Sequence, residues 1–276
     1  MTWGGDIDPP RVAIVPSRWP VIGVRLCLLV PLLCTGLAVM LVLRLIERPL
    51  FGLRRPVTPF VTQGVCRLAL MIIGVRVKVR GRPMTKPGAI VANHASWLDI
   101  FVLNAADRVY FVSKAEVAAW PGIGWLARAT GTVFIRRDRR DSALHKLLFE
   151  ARLRAGHRLL FFPEGTSSDS LRVLPFKSTL FEAFFAPALR EFLYIQPVSV
   201  AYHPPQGQDR RLYGWWGNMN FGAHLLVVMA QARRGQVDLV FHPALEVAAF
   251  PDRKQLAIAA QTAVQQGFDA AHAAAP

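Results

Sequence analysis

The chain has 276 residues, 53% of them hydrophobic, and a formal charge of +15 with an isoelectric point near 10.9. It can therefore bury a full core while presenting a basic surface that calls for an anionic partner. Its basic residues are dispersed among apolar stretches and no nucleic-acid module is recognisable, which excludes nucleic acid and favours anionic lipid head groups.

The N-terminal tail, 1–20, carries Asp6 and Asp8 and lacks a short basic start, so it does not read as a cleaved signal peptide. Residues 26–43 hold no ionised side chain and are bounded by Arg25 and Arg44, which is just long enough for a membrane helix. Pro31 and Gly36 interrupt this run, leaving open a spanning helix or a broken, re-entrant element. Arg44, Arg48, Arg54 and Arg55 outnumber Arg11, Arg18 and Arg25, which favours a catalytic domain on the cytoplasmic side of the inner membrane. Residues 56–74 predict a second, interfacial helix, and 21–74 together form a membrane-anchoring segment. Cys27, Cys34 and Cys66 fall in these apolar stretches and read as packed free thiols.

From residue 75 the pattern alternates. Val75, Val77 and Val79 against Arg76, Lys78 and Arg80 make a strand with one wet face, and 89–92, 109–112, 131–135, 158–162 and 195–200 supply further strands. Helical patterns fit 97–106, 142–155, 179–186 and 255–267. The expected architecture is an α/β domain over 75–250, a mixed central sheet flanked by helices on both faces, followed by an Ala-rich C-terminal helix over 251–276. Residues 203–220 read as a long loop in which Trp215 and Trp216 suit interfacial anchoring and core packing equally. Pro197 within its apolar strand suggests an edge or a bulge.

Chemistry concentrates where the strand 89–92 gives way to a helix. His94 and Asp99 stand five positions apart, and Ser96 with Asp99 resembles a capping box with Asp in the Glu/Gln place. Asp99 then lies in the first helical turn, within reach of the Nδ1–H of His94, whose Nε2 faces solvent or substrate. Such a carboxylate fixes the tautomer and makes the imidazole a usable base. No G-x-S-x-G nucleophile elbow occurs, the capping position already explains Ser96, and the other histidines show no metal-ligand spacing.

Three further features follow in order: Gly131 to Arg137 as G-x-x-F-I-x-R, Phe162 to Thr166 as F-P-E-G-T, and the proline-bearing strand 195–200. With the H-x-x-x-x-D, this ordered set resembles the glycerolipid acyltransferases of the lysophosphatidate type, over about 75 to 247. The resemblance implies a membrane-bound O-acyltransferase with His94 as general base and Asp99 as its orienter. It makes Arg137, Glu164, Gly165 and Thr166 binders of the acceptor head group, with no metal and no cofactor beyond an acyl thioester donor on coenzyme A or acyl carrier protein. Where that family usually continues with an arginine, this chain has Ser167, a neutral hydroxyl in place of a bidentate phosphate anchor. With Lys177 and the Tyr213 to Gly217 run, this looks like the branch that acylates lyso-ornithine lipid, whose acceptor carries a carboxylate and an ammonium. Arg137 or Lys177 would then pair the carboxylate, and Asp169 or Glu164 would sit near the ammonium. The alternatives are acylation of lysophosphatidate and an inert lipid-binding membrane protein.

Overall fold

A computed structural model describes residues 3–4, 9, 13–120, 122–135 and 142–274. Two N-terminal helices lead in. Helix α1, Trp19–Phe51, runs for 33 residues and continues without a break through Pro31, so the expected interruption does not occur. Gly36 is a contact point instead: a Cβ there would come within 2.6 Å of Val65 Cγ2, so the missing side chain lets helix α2, Thr58–Ile73, pack closely against α1. Much of the outward side of α1 is apolar, with Val24, Leu28, Val42, Leu45 and Leu50 all exposed. The stretch Pro16–Phe51 is long and apolar enough to cross a membrane, which suggests membrane association. Cys27 and Cys34 lie on this exposed side and are not packed as their apolar surroundings implied; only Cys66 is buried.

The two helices are tied to each other and to the domain by polar groups. Glu47, buried in the last turns of α1, accepts hydrogen bonds from Val57 N (2.6 Å), Thr58 N (3.0 Å) and Thr58 Oγ1 (2.8 Å), serving as the N-cap that α2 lacks in its own sequence. Arg55, in the linker, donates to Ala129 O at 2.8 Å.

The sheet that follows is mixed. Its strands are β1 (Val75–Arg80), β2 (Gly88–Ala92), β3 (Val109–Lys114), β4 (Val133–Ile135), β5 (Arg158–Phe161), β6 (Tyr194–His203), β7 (Gly235–Phe241) and β8 (Leu245–Glu246), in the order β1-β7-β6-β2-β5-β3-β4, with β8 beside β6. All neighbours run parallel except β6 with β7 and β8. Pro197 therefore sits in a central strand. It falls between the residues paired to β8 (Tyr194, Ile195) and those paired to β7 (Val198 onward), a gap in the antiparallel ladder that tolerates a missing N–H.

Alternation along β2 divides the core. Ile90 and Ala92 face a cluster built with α1, α2, α3 (Asp99–Ala106) and α7 (Phe221–Met229), whereas Ala89 and Val91 face one built with α5 (Ser142–Arg154), the 3-10 segment Ser178–Phe185 and α8 (Arg253–Ala273). The Ala-rich C-terminal helix is thus an integral cover of the sheet, and Ser199 Oγ donates to its Val264 O at 2.7 Å. Residues 179–186 form 3-10 rather than α turns, and α6 (Pro187–Arg190) follows. Helix α4 (Ile123–Thr130), α7 and β7 lie where the sequence pattern had given no element.

Helix α7 links the anchor to the domain. Arg25 Nη1 of α1 donates to Met229 O and Gln231 O, both at 2.8 Å, capping the carbonyl end of α7. From the body of α7, His224 Nδ1 accepts from Trp97 Nε1 at 2.9 Å while its Nε2 donates to Leu212 O at 3.0 Å.

The Glu47→Ala variant should leave the Thr58 N–H and hydroxyl unpaired in the interior and the half-exposed Val57 N–H without its partner, at a cost of about 1–3 kcal/mol. Thermal unfolding of the purified protein in detergent should show a lower midpoint; an unchanged midpoint would show that this clasp adds no stability.

Candidate active site

The site begins where β2 ends. Asn93 continues the strand with its side chain: its Nδ2 donates to Val200 O (2.9 Å) and its Oδ1 accepts from Val200 N (2.8 Å), pinning the end of β2 to β6. The chain then turns, and the carbonyls of the turn are taken by neighbouring loops, His94 O by Ser168 N and Ala95 O by Trp215 N, each at 2.9 Å. Asp99 opens α3. Its reach back to Ser96 N forms the acidic half of the expected capping box, but Ser96 Oγ has no hydrogen-bond partner among the described residues, and the helix starts at 99, not 97.

The Asp99 carboxylate is fully buried and accepts four hydrogen bonds. Oδ2 takes His94 Nδ1 at 2.7 Å, Ala95 N at 2.8 Å and Ser96 N at 3.0 Å, and Oδ1 takes the Tyr202 hydroxyl at 2.6 Å. Two of these donors are backbone amides, so Oδ2 acts as an acceptor and His94 Nδ1 carries the proton toward it. The Nε2 lone pair is left outward. The ring keeps 20% of its exposure, and its Nε2 makes no hydrogen bond among the described residues. One face is held by Phe162, stacked at 3.9 Å between centroids and 10° between planes, and Phe162 in turn lies against Phe111 of β3. Complete burial, aided by the Asp99 charge, pushes the Tyr202 phenol well above its usual range, which keeps it a neutral donor.

The F-P-E-G-T turn is brought to this point, with several polar side chains turned inward. Gly165 adopts φ 72°, a conformation that favours glycine. Glu164 is 1% exposed; its oxygens face the amides of Leu174 and His94 without a well-formed hydrogen bond, and burial, with the Asp99 charge beyond, pushes its carboxyl well above the usual range. Thr166 Oγ1 accepts from Trp3 N at 2.8 Å. Ser167 is buried and donates to Trp215 O at 2.5 Å, and Asp169 is buried and paired to Arg172 at 3.1 Å. So Glu164, Ser167 and Asp169, expected to meet the head group, lie in the interior. Lys177 is exposed, and its backbone N–H bonds Pro163 O at 2.9 Å, which closes the loop back onto the motif. Arg137 lies outside the described residues, just beyond β4.

The dyad was legible from its five-residue spacing; Asn93, Phe162 and Tyr202 received no role from the sequence. Tyr202 had no local signal, since its partner lies 103 positions away. Trp216 is core at 2% exposure, while Trp120 and Trp125 are exposed. No group of three His, Cys, Asp or Glu side chains disposed to hold a metal occurs among the described residues. The arrangement ties one imidazole nitrogen to a buried carboxylate and leaves the other without a hydrogen-bond partner among the described residues.

Comparison with known proteins identifies the family. An acyltransferase family model matches residues 76–201. A lyso-ornithine lipid O-acyltransferase of Rhodobacter capsulatus is 54% identical over 267 residues, 96% of each chain, and one of Brucella abortus is 38% identical over 204 residues, 69% of this chain and 75% of that one. The crystal structure of the 1-acyl-sn-glycerophosphate acyltransferase PlsC from Thermotoga maritima superposes with a TM-score of 0.59 at 22% identity, covering 79% of this chain and 81% of that one, a likeness of fold. With a relative so similar over nearly its whole length, the chain belongs to the acyltransferase family and is an O-acyltransferase.

Proposed function

We propose that this enzyme transfers a fatty acyl group from an acyl thioester to the hydroxyl of lyso-ornithine lipid, yielding ornithine lipid, at the cytoplasmic face of the inner membrane. The observation that carries the acceptor is the 54% identity over 96% of the chain to a lyso-ornithine lipid O-acyltransferase. The His94–Asp99 geometry carries the chemistry.

In this reading His94 Nε2 removes the proton of the acceptor hydroxyl as the oxygen attacks the thioester carbonyl. The tetrahedral oxyanion collapses, the C–S bond breaks, and the thiolate leaves with the proton returned from the imidazolium, so that ester and free thiol are the products. Asp99 stabilises the imidazolium between the two transfers, and its bonds to Ala95 N, Ser96 N and Tyr202 hold it in place. No covalent enzyme intermediate is needed. The donor thiol belongs to coenzyme A or acyl carrier protein, and the basic surface suits the acidic carrier. The long helix α1, apolar and exposed along its outer side, supports a membrane-bound enzyme.

The test is direct. Membranes containing the protein, given an acyl thioester and either lyso-ornithine lipid or lysophosphatidate, should form diacyl product from the former; product from lysophosphatidate alone would overturn the acceptor assignment. His94→Ala should lower turnover about a hundredfold or more while the protein stays with the membrane fraction. Unaltered turnover would remove His94 from the mechanism. Tyr202→Phe should lower kcat about tenfold with little change in KM, because the lost donor leaves Asp99 Oδ1 bare in the interior. A rise in KM at constant kcat would instead place Tyr202 in substrate binding.

A further inference from the structure

A concave feature lies away from the imidazole. Strand β1 is an edge of the sheet, and beside it a groove of about 410 Å³ runs between β1, the last turns of α2 and the end of α3. Its lining is of two kinds. Val77, Val79 and Met71 give an apolar floor, with Val79 47% and Met71 60% exposed, and Arg67, Arg76 and Arg234 stand around it. No acidic residue lines the groove. Arg67 is fixed by a 2.8 Å bond from its Nε to Ala105 O, and neither Arg76 nor Arg234 forms an ion pair among the described residues.

The guanidiniums of Arg67 and Arg234 on this face, with Arg76 bordering from the edge strand, have no counter-charge in the groove and call for an anion, and guanidinium suits a phosphate group above other cations. A free inorganic anion would leave the valine and methionine floor exposed. A second copy of this chain would bring like charge to like charge. An anionic phospholipid answers both halves, its phosphate against the arginines and its first methylenes on the floor. The floor is also continuous with Leu68 and Met71 on the exposed side of α2, the helix packed against the long apolar α1. We propose that this groove holds one anionic phospholipid as a bound lipid, distinct from the acceptor. The groove reaches α3 at Ala105 and Ala106, whereas the base is tied to Asp99 at the other end of that helix, about 10 Å away along its axis. The lipid would therefore fasten the junction of anchor and sheet without entering the reaction.

The test uses the full chain, purified in mild detergent and examined by native mass spectrometry with added phosphatidylglycerol, phosphatidylcholine or inorganic phosphate. The expected result is one retained phosphatidylglycerol, not matched by phosphatidylcholine and not displaced by phosphate at equal concentration. Arg76→Gln combined with Arg234→Gln should weaken retention at least about tenfold with acyl transfer in detergent unchanged. Arg67 is left alone because it also holds α3. Should the double variant fail to fold, Val79→Glu, at an exposed position, places an acid on the floor and should weaken retention in the same way. Equal retention in a folded variant, or equal retention of the zwitterionic lipid, overturns the proposal. Displacement by phosphate alone would reduce the site to an anion site, and a groove-dependent complex with acidic acyl carrier protein in place of lipid would overturn the lipid assignment.

Discussion

The structure around the imidazole depends on one buried carboxylate. A charge without solvent is tolerated only when donors surround it, and Asp99 draws its four from the turn that precedes α3 and from a strand on the far side of that turn. Satisfying the charge therefore folds the site. The Ala95 and Ser96 amides can reach Oδ2 only if the chain bends sharply after β2, and that bend swings the His94 ring out of the sheet. Tyr202 completes the set from β6, while Asn93 holds the same two strands together with its side chain. The orientation of the imidazole follows from the need to satisfy Asp99, with Phe162 supporting the ring from one side.

Around this turn, two loops are tied to it by backbone hydrogen bonds. The 164–177 loop meets the turn through Ser168, and the 203–220 loop meets it through Trp215; Ser167 joins the two loops to each other. Glu164, whose burial pushes its carboxyl up, sits behind them next to Asp99. A second ionised carboxylate there would face the first across a dry space, so a neutral acid is the form compatible with the neighbouring charge. The conspicuous residues of the F-P-E-G-T turn thus spend much of their polarity in the interior behind the His94 turn.

What the sequence revealed was local. The strand–turn–helix junction, the five-residue spacing of the dyad and the alternation of β1 all arise between near neighbours, and each is found in the fold. What it concealed depends on distant partners. Ser167 reads as an open hydroxyl until Trp215 O is placed against it, and Pro31 reads as a break until α1 is seen to pass through it unbroken. Helix α7 has apolar residues on nearly all sides, so no helical period stands out, and β7 carries Gln236 and Asp238 inside a strand because Arg80 on β1 pairs the acid at 3.0 Å. Arg137 lies outside the described residues and its place in the site stays a matter of the family resemblance.

A continuous polar and helical line runs from α1 to the His94 turn: Arg25 grips the carbonyl end of α7, and His224 of α7 accepts from the indole of Trp97, three residues after His94. A shift of α1 against the sheet therefore has either to break these bonds or to carry α7 and the Trp97 end of the turn along with it, which couples the long apolar helix to the placement of the imidazole.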